Sequence, residues 1–311
     1  MTTFTLLQIA AGTGGALIGA TVGIVVCGLV TFYVAVYLYP RYVYPILRLR
    51  TKFPADQGPT FERVAFPSDD GIRLAGWFGK GAGGRGNATI IVCHGWGSDT
   101  RDRLGLAETL RASGFNVLAF DFRGWGKSDP GPVTFGDREA GDVLGAVHFL
   151  KARGGAEAER IGVIACSMGA AAAIRAAART PQIDAVVAEA SYARFDVQVA
   201  RFFRRFIGPL WPLAYAPARW RMERLIGRAM GSTSPLAAVP DISPRPPLII
   251  HGTRDRVIDA QDARLLYQAA GRPKNLSLIE GAGHVDTRRV ELAEYDARVV
   301  GFFRSALLEM G

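Results

Sequence analysis

Two patterns of apolar and polar positions divide the chain into unequal parts. Residues 1–40 contain no charged side chain, and apolar residues dominate from Leu6 to Leu38. A run of this length matches the hydrocarbon thickness of a bilayer. From residue 61 onward, short apolar runs alternate with longer segments of helical periodicity, which is typical of a mostly parallel sheet flanked by helices. The sequence therefore predicts a transmembrane anchor over residues 1–40, followed by an α/β fold.

The alternating part predicts a hairpin, six further strands and five helices. Phe61–Phe66 and Ile72–Phe78 flank the turn signal Ser68–Gly71, which favours a hairpin. The further strands are predicted at Thr89–Cys93, Asn116–Phe120, Arg160–Ala165, Ala185–Ala188, Leu248–Ile250 and Leu276–Ile279. The helices are predicted at about Arg103–Ser113, Phe135–Ala152, Met168–Ala178, Ala260–Ala270 and Arg288–Glu309. Ligands of such sheets bind beyond the carboxyl ends of the strands, so functional residues are expected there.

Residues 191–245 interrupt this alternation. Large apolar residues are interspersed with arginines there, which predicts a helical cap that is apolar on one side and basic on the other. Residues 61–190 and 246–311 then form the predicted α/β core, and residues 41–60 form a basic juxtamembrane linker. The cap has two interpretations of equal weight. It is either a structural subdomain with a solvated basic face, or a lid near lipid headgroups that shapes an apolar pocket.

The flanks of the apolar run predict its orientation. Arg41, Arg48, Arg50 and Lys52 follow the run and nothing basic precedes it, so the positive-inside rule places the main domain in the cytoplasm. A signal peptide is the alternative, but the basic start and cleavage site that it requires are missing. A glycine at every fourth position of the apolar run suits a homodimer through closely packed helices, although glycine is common in membrane helices anyway. Its members are Gly15, Gly19 and Gly23.

Charge and composition narrow the class of partner. The formal net charge of +9 favours anionic partners such as phospholipid headgroups, and so a lipid bilayer. No basic segment indicates a nucleic-acid site. The three cysteines give no disulfide framework, and the four histidines lack the spacing of zinc ligands. Neither a metal nor an organic cofactor is expected.

The segment from Ile161 to Arg179 carries the strongest chemical signal. An apolar strand is followed at once by an alanine-rich helix, and Ser167 lies at the junction. The residues two before and two after it, Ala165 and Gly169, are small enough for a very tight turn. This arrangement predicts a nucleophile elbow, in which the serine hydroxyl projects from the strand end beside a helix N-terminus. The alternative is an ordinary strand and a helix with a serine N-cap.

A serine hydroxyl needs a base, an orienting acid and donors for the oxyanion. Asp255 and His284 follow the ends of two later strands, in the chain order expected for this elbow. The backbone N–H groups of Trp96 and Met168 are the predicted oxyanion donors. Residues predicted to support these groups are His94, Gly95, Gly97, Ala165 and Gly169. Alternatives remain for the acid and the histidine. Glu189 is the runner-up acid, Asp255 alone suits an Asx turn, and Asp259 suits an N-cap. His284 alone suits a capping or surface histidine, and His251 is predicted to be structural.

These segments resemble the α/β-hydrolase superfamily from about Phe61 to the C-terminus. Asp121–Ser128 is similar to the family's D-x-R-G-x-G-x-S turn, and the segments ending in Asp255 and His284 are similar to its acid and histidine segments. The first glycine of the family's G-x-S-x-G is Ala165 here. Ser167, where related dehalogenases and epoxide hydrolases have aspartate, argues against those activities. The likeness extends to serine hydrolases with one N-terminal membrane helix, some of which are acyl-protein thioesterases or lipid esterases.

The resemblance and the constellation together predict a membrane-anchored serine hydrolase that cleaves carboxylic ester or thioester bonds of acyl substrates. Two alternatives are open. The first is a peptidase or amidase of the same fold, which would need an acidic subsite for a substrate amine. The cap contains few acids besides Asp196 and Glu223. The second is a catalytically silent, membrane-tethered binding protein on this scaffold.

Overall fold

The structure is a computed structural model that describes residues 3–34, 60–84 and 88–309, with side chains described from residue 18 onward except at residues 84, 156 and 233. The strands are β1 (Glu62–Pro67), β2 (Arg73–Gly79), β3 (Ala88–Cys93), β4 (Asn116–Phe120), β5 (Arg160–Cys166), β6 (Ala185–Glu189), β7 (Pro247–Gly252) and β8 (Asn275–Ile279). The helices are α1 (Thr3–Tyr33), α2 (Leu104–Ala112), α3 (Glu139–Arg153), α4 (Met168–Arg179), α5 (Phe195–Ile207), α6 (Trp211–Ile226), α7 (Pro235–Ala238), α8 (Ala260–Ala269), α9 (Thr287–Val290) and α10 (Leu292–Leu308).

The eight strands form one sheet in the order β1-β2-β4-β3-β5-β6-β7-β8. The hairpin β1–β2 and the pair β2–β4 are antiparallel, and the other neighbours are parallel. The predicted mostly parallel sheet is therefore confirmed. The predicted hairpin is also confirmed, with Ser68 and Ile72 hydrogen-bonded across its turn. Parallel pairing brings the carboxyl ends of β3, β5, β6, β7 and β8 to one edge, where the predicted site residues follow them.

Helices cover both faces of the sheet, and the central strands are therefore buried on both sides. One apolar cluster joins the sheet to α3, α4 and α8, and a second joins it to α2 and α10. Close approach is needed at Gly162 of β5, where an added Cβ would lie 2.6 Å from the ring of Phe303 in α10. The two layers together hold the strand ends in fixed positions.

The predicted C-terminal helix from Arg288 to Glu309 is wrong in one respect. The structure divides it into α9 and α10 at Glu291, whose φ of −127° and ψ of 59° are not helical. The division lies close behind the loop that carries His284. The buried side chains differ between the two parts: α9 buries Thr287 while Val290 is exposed, and α10 buries apolar residues such as Tyr295 and Phe303.

The segment between β6 and β7 contains α5 and α6, which pack against each other above the strand ends. Their buried side chains, among them Phe203 and Met222, form a third apolar cluster. Phe32 of α1 joins this cluster, and at Gly28 the backbones of α1 and α6 approach so closely that an added Cβ would lie 2.1 Å from the carbonyl oxygen of Ala214. Helix α1 is thus packed on the cap.

The predicted transmembrane anchor is not supported. Within residues 3–34, 60–84 and 88–309, the structure contains no helix with both the length and the apolar character needed to cross a membrane. Helix α1, which covers most of the apolar run, packs on α6 at Gly28. Residues 41–59 of the predicted basic linker lie outside the described residues. The homodimer through Gly15, Gly19 and Gly23 stays a prediction, and nothing lies within 4 Å of a Cβ added at Gly19 or Gly23.

Candidate active site

Ser167 lies in the turn between β5 and α4. Its φ of 51° and ψ of −120° are a backbone conformation that residues other than glycine rarely adopt. Its N–H donates to the carbonyl of Glu189 on the neighbouring strand over 2.8 Å, which holds the turn against the sheet. Gly169 is essential for this geometry, because an added Cβ would lie 2.2 Å from the carbonyl oxygen of His94. The strained turn predicted from the small residues is present.

The loops after β7 and β8 bring two further predicted residues to Ser167. His284 Nε2 lies 3.1 Å from Ser167 Oγ, and His284 Nδ1 lies 2.7 Å from Asp255 Oδ2. The other carboxylate oxygen of Asp255 accepts the N–H groups of Val257 and Ile258 at 2.8 and 2.9 Å. These two bonds make Asp255 part of a tight turn as well, so the Asx turn and the contact with His284 are compatible. Hydroxyl, imidazole and carboxylate form one hydrogen-bonded series.

The electrostatics of this series favour an ionised carboxylate. The side chain of Asp255 is fully buried, and burial alone would raise its pKa. Hydrogen bonds from His251 and His284 outweigh burial and hold the pKa of Asp255 well below its ordinary value. A charged carboxylate fixes the imidazole so that Nε2 faces the hydroxyl and can accept its proton.

His251 is a second histidine that contacts Asp255. Its Nε2 is 3.3 Å from Asp255 Oδ2 and 3.1 Å from the carbonyl oxygen of Ile258. The side chain is fully buried, and its Nδ1 has no hydrogen-bond partner among the described residues. The sequence-based assignment of His251 as structural understated its position, because it contacts the same carboxylate as His284.

The predicted oxyanion turn follows β3. His94 is fully buried; its Nδ1 bonds the carbonyl oxygen of Gly95 at 2.7 Å, and its Nε2 accepts the N–H of Phe122 at 3.0 Å. Burial lowers the pKa of His94 to about 4, so the ring is neutral near pH 7 and orients this turn. A Cβ added to Gly95 would lie 3.3 Å from Cβ of Ser167. Gly97 has a positive φ of 73°, which glycine adopts without strain.

The motif Asp121–Ser128 contacts this turn through the N–H of Phe122, which donates to His94 Nε2. Asp121 is fully buried and accepts the N–H and the hydroxyl of Thr100 at 2.9 and 2.7 Å, and the N–H of Lys127 at 2.8 Å. A Cβ added at Gly126 would lie 1.9 Å from its carboxylate. The spacing of aspartate and glycine in the motif follows from this close approach.

Glu189, the runner-up acid, does not contact His284. Its carboxylate is buried and accepts hydrogen bonds from the guanidinium of Arg103 at 3.0 Å and from the hydroxyl of Tyr295 at 3.1 Å. It also accepts a hydrogen bond from the hydroxyl of Thr287. The network joins the end of β6 to the segment just after His284. Glu189 is therefore placed to position the histidine loop behind the site.

An apolar pocket of about 330 Å³ opens in front of Ser167 and His284. Apart from the polar side chains of Gln198 and Arg219, its lining falls into two groups. We call the first the catalytic floor, which consists of Trp96, Ser167, Met168 and His284. We call the second the apolar wall; its members are Thr31, Phe32, Phe135, Tyr192, Phe195, Val199, Phe202, Phe203, Ala218, Met222, Met230, Val257 and Ile258.

Most of the apolar wall was not predicted residue by residue. The cap was expected to shape a pocket, but Phe135 precedes α3 and has an unusual φ of 54°, and Thr31 and Phe32 belong to the helix predicted to lie in a membrane. The apolar periodicity of a helix shows that a face is buried without identifying its partner. In the sequence, only the many aromatic residues of the cap indicated an apolar pocket.

Comparison with known proteins agrees with this fold. Residues 90–295 match the model of the alpha/beta hydrolase family. The uncharacterized protein YfhR of Escherichia coli K12 is 30% identical over 283 residues, which cover 88% of this chain and 91% of YfhR. The Pyrococcus furiosus esterase Pf2001 superposes with a TM-score of 0.67 at 28% identity, over 83% of this chain and 95% of its own. The protein PA2218 of Pseudomonas aeruginosa has a TM-score of 0.61 at 26% identity, over 82% and 96%. The chain belongs to the alpha/beta hydrolase family.

Proposed function

We propose that this protein is a serine hydrolase that cleaves the carboxylic ester or thioester bonds of acyl substrates. The observation that carries the proposal is the hydrogen-bonded series from Ser167 through His284 to Asp255, which opens on an apolar pocket. Ser167 Oγ attacks the acyl carbonyl while His284 Nε2 accepts its proton, and His284 then protonates the leaving alcohol or thiol. Water, activated by the same imidazole, releases the acyl group from the acyl-enzyme.

The oxyanion formed in each step requires hydrogen-bond donors. We assign this role to the backbone N–H groups of Trp96 and Met168, as predicted from the sequence. Both residues line the pocket beside Ser167. Met168 is also the first residue of α4, where the helix dipole favours negative charge.

The lining of the pocket favours an acyl chain over a peptide. Among its described residues, the charged side chains are Arg219 and, when protonated, His284, and none is a carboxylate. A peptidase that recognises a substrate amine would need an acidic group there. The presence of both a nucleophile and a base argues against a catalytically silent binding protein. We therefore propose esters with medium or longer acyl chains as preferred substrates. Contact with a bilayer and a cytoplasmic location stay predictions from charge and composition.

Labelling with a fluorophosphonate probe tests the mechanism directly. The wild type should be labelled and should hydrolyse nitrophenyl esters in preference to amino-acyl anilides. Ser167→Ala should lose labelling and reduce kcat at least about 10⁴-fold, because the nucleophile is missing. Ser232→Ala is a matched control, since this exposed serine only donates to the carbonyl of Ala229. Labelling that persists in Ser167→Ala would discard the mechanism, and faster cleavage of anilides would favour the peptidase.

A further inference from the structure

Helix α1 contributes to the pocket although it precedes residues 90–295, the part that matches the family. Its residues Ile24, Gly28 and Phe32 recur every four positions and so share one face of the helix. Gly28 contacts the backbone of α6 at Ala214, and Ile24 packs against the same apolar cluster. The opposite face is exposed, including Val26 and Val30. The face that contains Phe32 is therefore oriented toward the cap by the close approach at Gly28.

Phe32 is the residue of this face that bears on the substrate. It is 7% exposed and belongs to the same buried cluster as Phe203, Ala218 and Met222 of the cap. Together with Thr31 it lines the cavity that contains Ser167 and His284. A side chain that is packed on one side and borders a cavity on the other fixes the size of that cavity.

We propose that α1 is a substrate-binding element and that Phe32 limits the length of the acyl chain. This inference rests on the proposed ester or thioester hydrolysis, since it concerns the acyl side of the same pocket. The volume of about 330 Å³ is at the small end for ligand pockets, so removal of one phenyl group changes it appreciably. Each methylene group that a chain buries in additional apolar space improves transition-state binding by a factor of about four.

The test uses the full-length protein and nitrophenyl esters of even-numbered acyl chains from acetate to palmitate. Phe32→Ala should move the preferred chain length upward by two or more carbons. It should raise kcat/KM for the longer esters roughly tenfold relative to acetate, on which it should stay within about twofold of the wild type. Phe32→Trp should move the preference toward shorter chains, because it fills the same space. Val30→Ala is the matched control on the exposed face of α1 and should reproduce the wild-type profile.

Failure of this inference differs from failure of the proposed function. If the wild type hydrolyses no ester and is not labelled by fluorophosphonate, the proposed function is wrong and the inference falls with it. If the wild type is active but both Phe32 variants keep the profile of Val30→Ala, α1 does not select the acyl chain. The two Phe32 variants alter volume in opposite directions, so a general loss of stability cannot imitate opposite shifts in preference.

Discussion

The catalytic floor and the apolar wall border the same pocket but are built differently. The floor follows the ends of parallel strands, and buried polar groups such as Asp121, Glu189 and Asp255 hold its turns through several hydrogen bonds each. The wall consists largely of helices α1, α5 and α6, which contact one another through apolar side chains. Directional bonds fix atoms to within tenths of an ångström, whereas apolar packing mainly fixes volume. The floor is therefore suited to chemistry and the wall to accommodating a chain.

This difference predicts that substitutions in the polar groups and tight turns that hold the floor cost more stability than substitutions in the wall. Removal of one partner from a buried polar network leaves the others unsatisfied, which is costly. An apolar side chain that already borders a cavity loses fewer contacts when it is shortened. The following substitutions test the comparison in order of expected effect.

Glu189→Ala should have the largest effect. It leaves the guanidinium of Arg103, whose side chain is only 9% exposed, without its carboxylate partner. We expect a loss of about 3–5 kcal/mol in the free energy of unfolding. Urea denaturation measures this loss. We also expect kcat to fall with little change in KM, because Thr287 no longer ties the histidine loop to β6.

Two variants sharpen the interpretation of Glu189. Glu189→Gln keeps an acceptor oxygen and should recover part of both losses. Glu108→Ala removes an acid that pairs with Arg111 on the surface, and it should change stability by less than about 1 kcal/mol. If Glu189→Ala behaved like Glu108→Ala, the floor would not depend on its polar network.

Gly169→Ala should come next. The added Cβ would lie 2.2 Å from the carbonyl oxygen of His94, so the elbow or the oxyanion turn must move. We expect a destabilisation of about 3 kcal/mol and a loss of ester hydrolysis of at least tenfold. Thermal unfolding and initial rates on an acetate ester measure the two effects. Gly301→Ala is the control: Gly301 lies within α10 with nothing near its Cβ position, and alanine there should stabilise by about 0.5–1 kcal/mol.

His94 gives a pH-dependent test of the floor. Burial lowers its pKa from the ordinary 6.5 to about 4, so between these values the unfolded chain binds a proton that the folded chain does not. Stability conferred by neutral His94 is therefore lost as pH falls through this window. From pH 7 to pH 5, the wild type should lose about 2 kcal/mol more than His94→Gln, measured by urea denaturation at both values.

Other buried groups do not disturb this comparison. Burial raises the pKa of Asp121 to about 7, so the folded chain binds the extra proton and stability changes in the opposite direction as pH falls. That contribution is common to the wild type and His94→Gln and cancels in the difference. Equal losses in both proteins would show that His94 is accessible to protons and does not hold the oxyanion turn in its neutral form.

The sequence predicted the floor far better than the wall, for a physical reason. Ser167, Asp255 and His284 each lie in a short segment whose chemistry is local, such as the small residues at Ala165 and Gly169. The order of strands then brings them together. Helix α1 could not be placed in this way. An uninterrupted apolar run is compatible with a membrane or with a packed cap, and its sequence does not identify what it packs against. Glu189 was only the runner-up acid, and the structure places Arg103 against it. A strand-end acid does not reveal from the sequence whether a histidine or an arginine lies opposite.

Met222→Ala should have the smallest effect on stability and the clearest effect on substrate. Met222 is 4% exposed, packs in the cluster with Phe203 and Ala218, and borders the pocket. Because one side of the thioether already faces the cavity, we expect a loss of only about 1 kcal/mol, below the usual range for buried methionine. The KM for long-chain esters should fall a few-fold, because the added apolar space accommodates more of the chain. The kcat/KM for acetate esters should be unchanged, since the floor does not move. A loss of stability as large as that of Glu189→Ala, or a loss of activity on acetate, would show that the wall and the floor are one rigid unit.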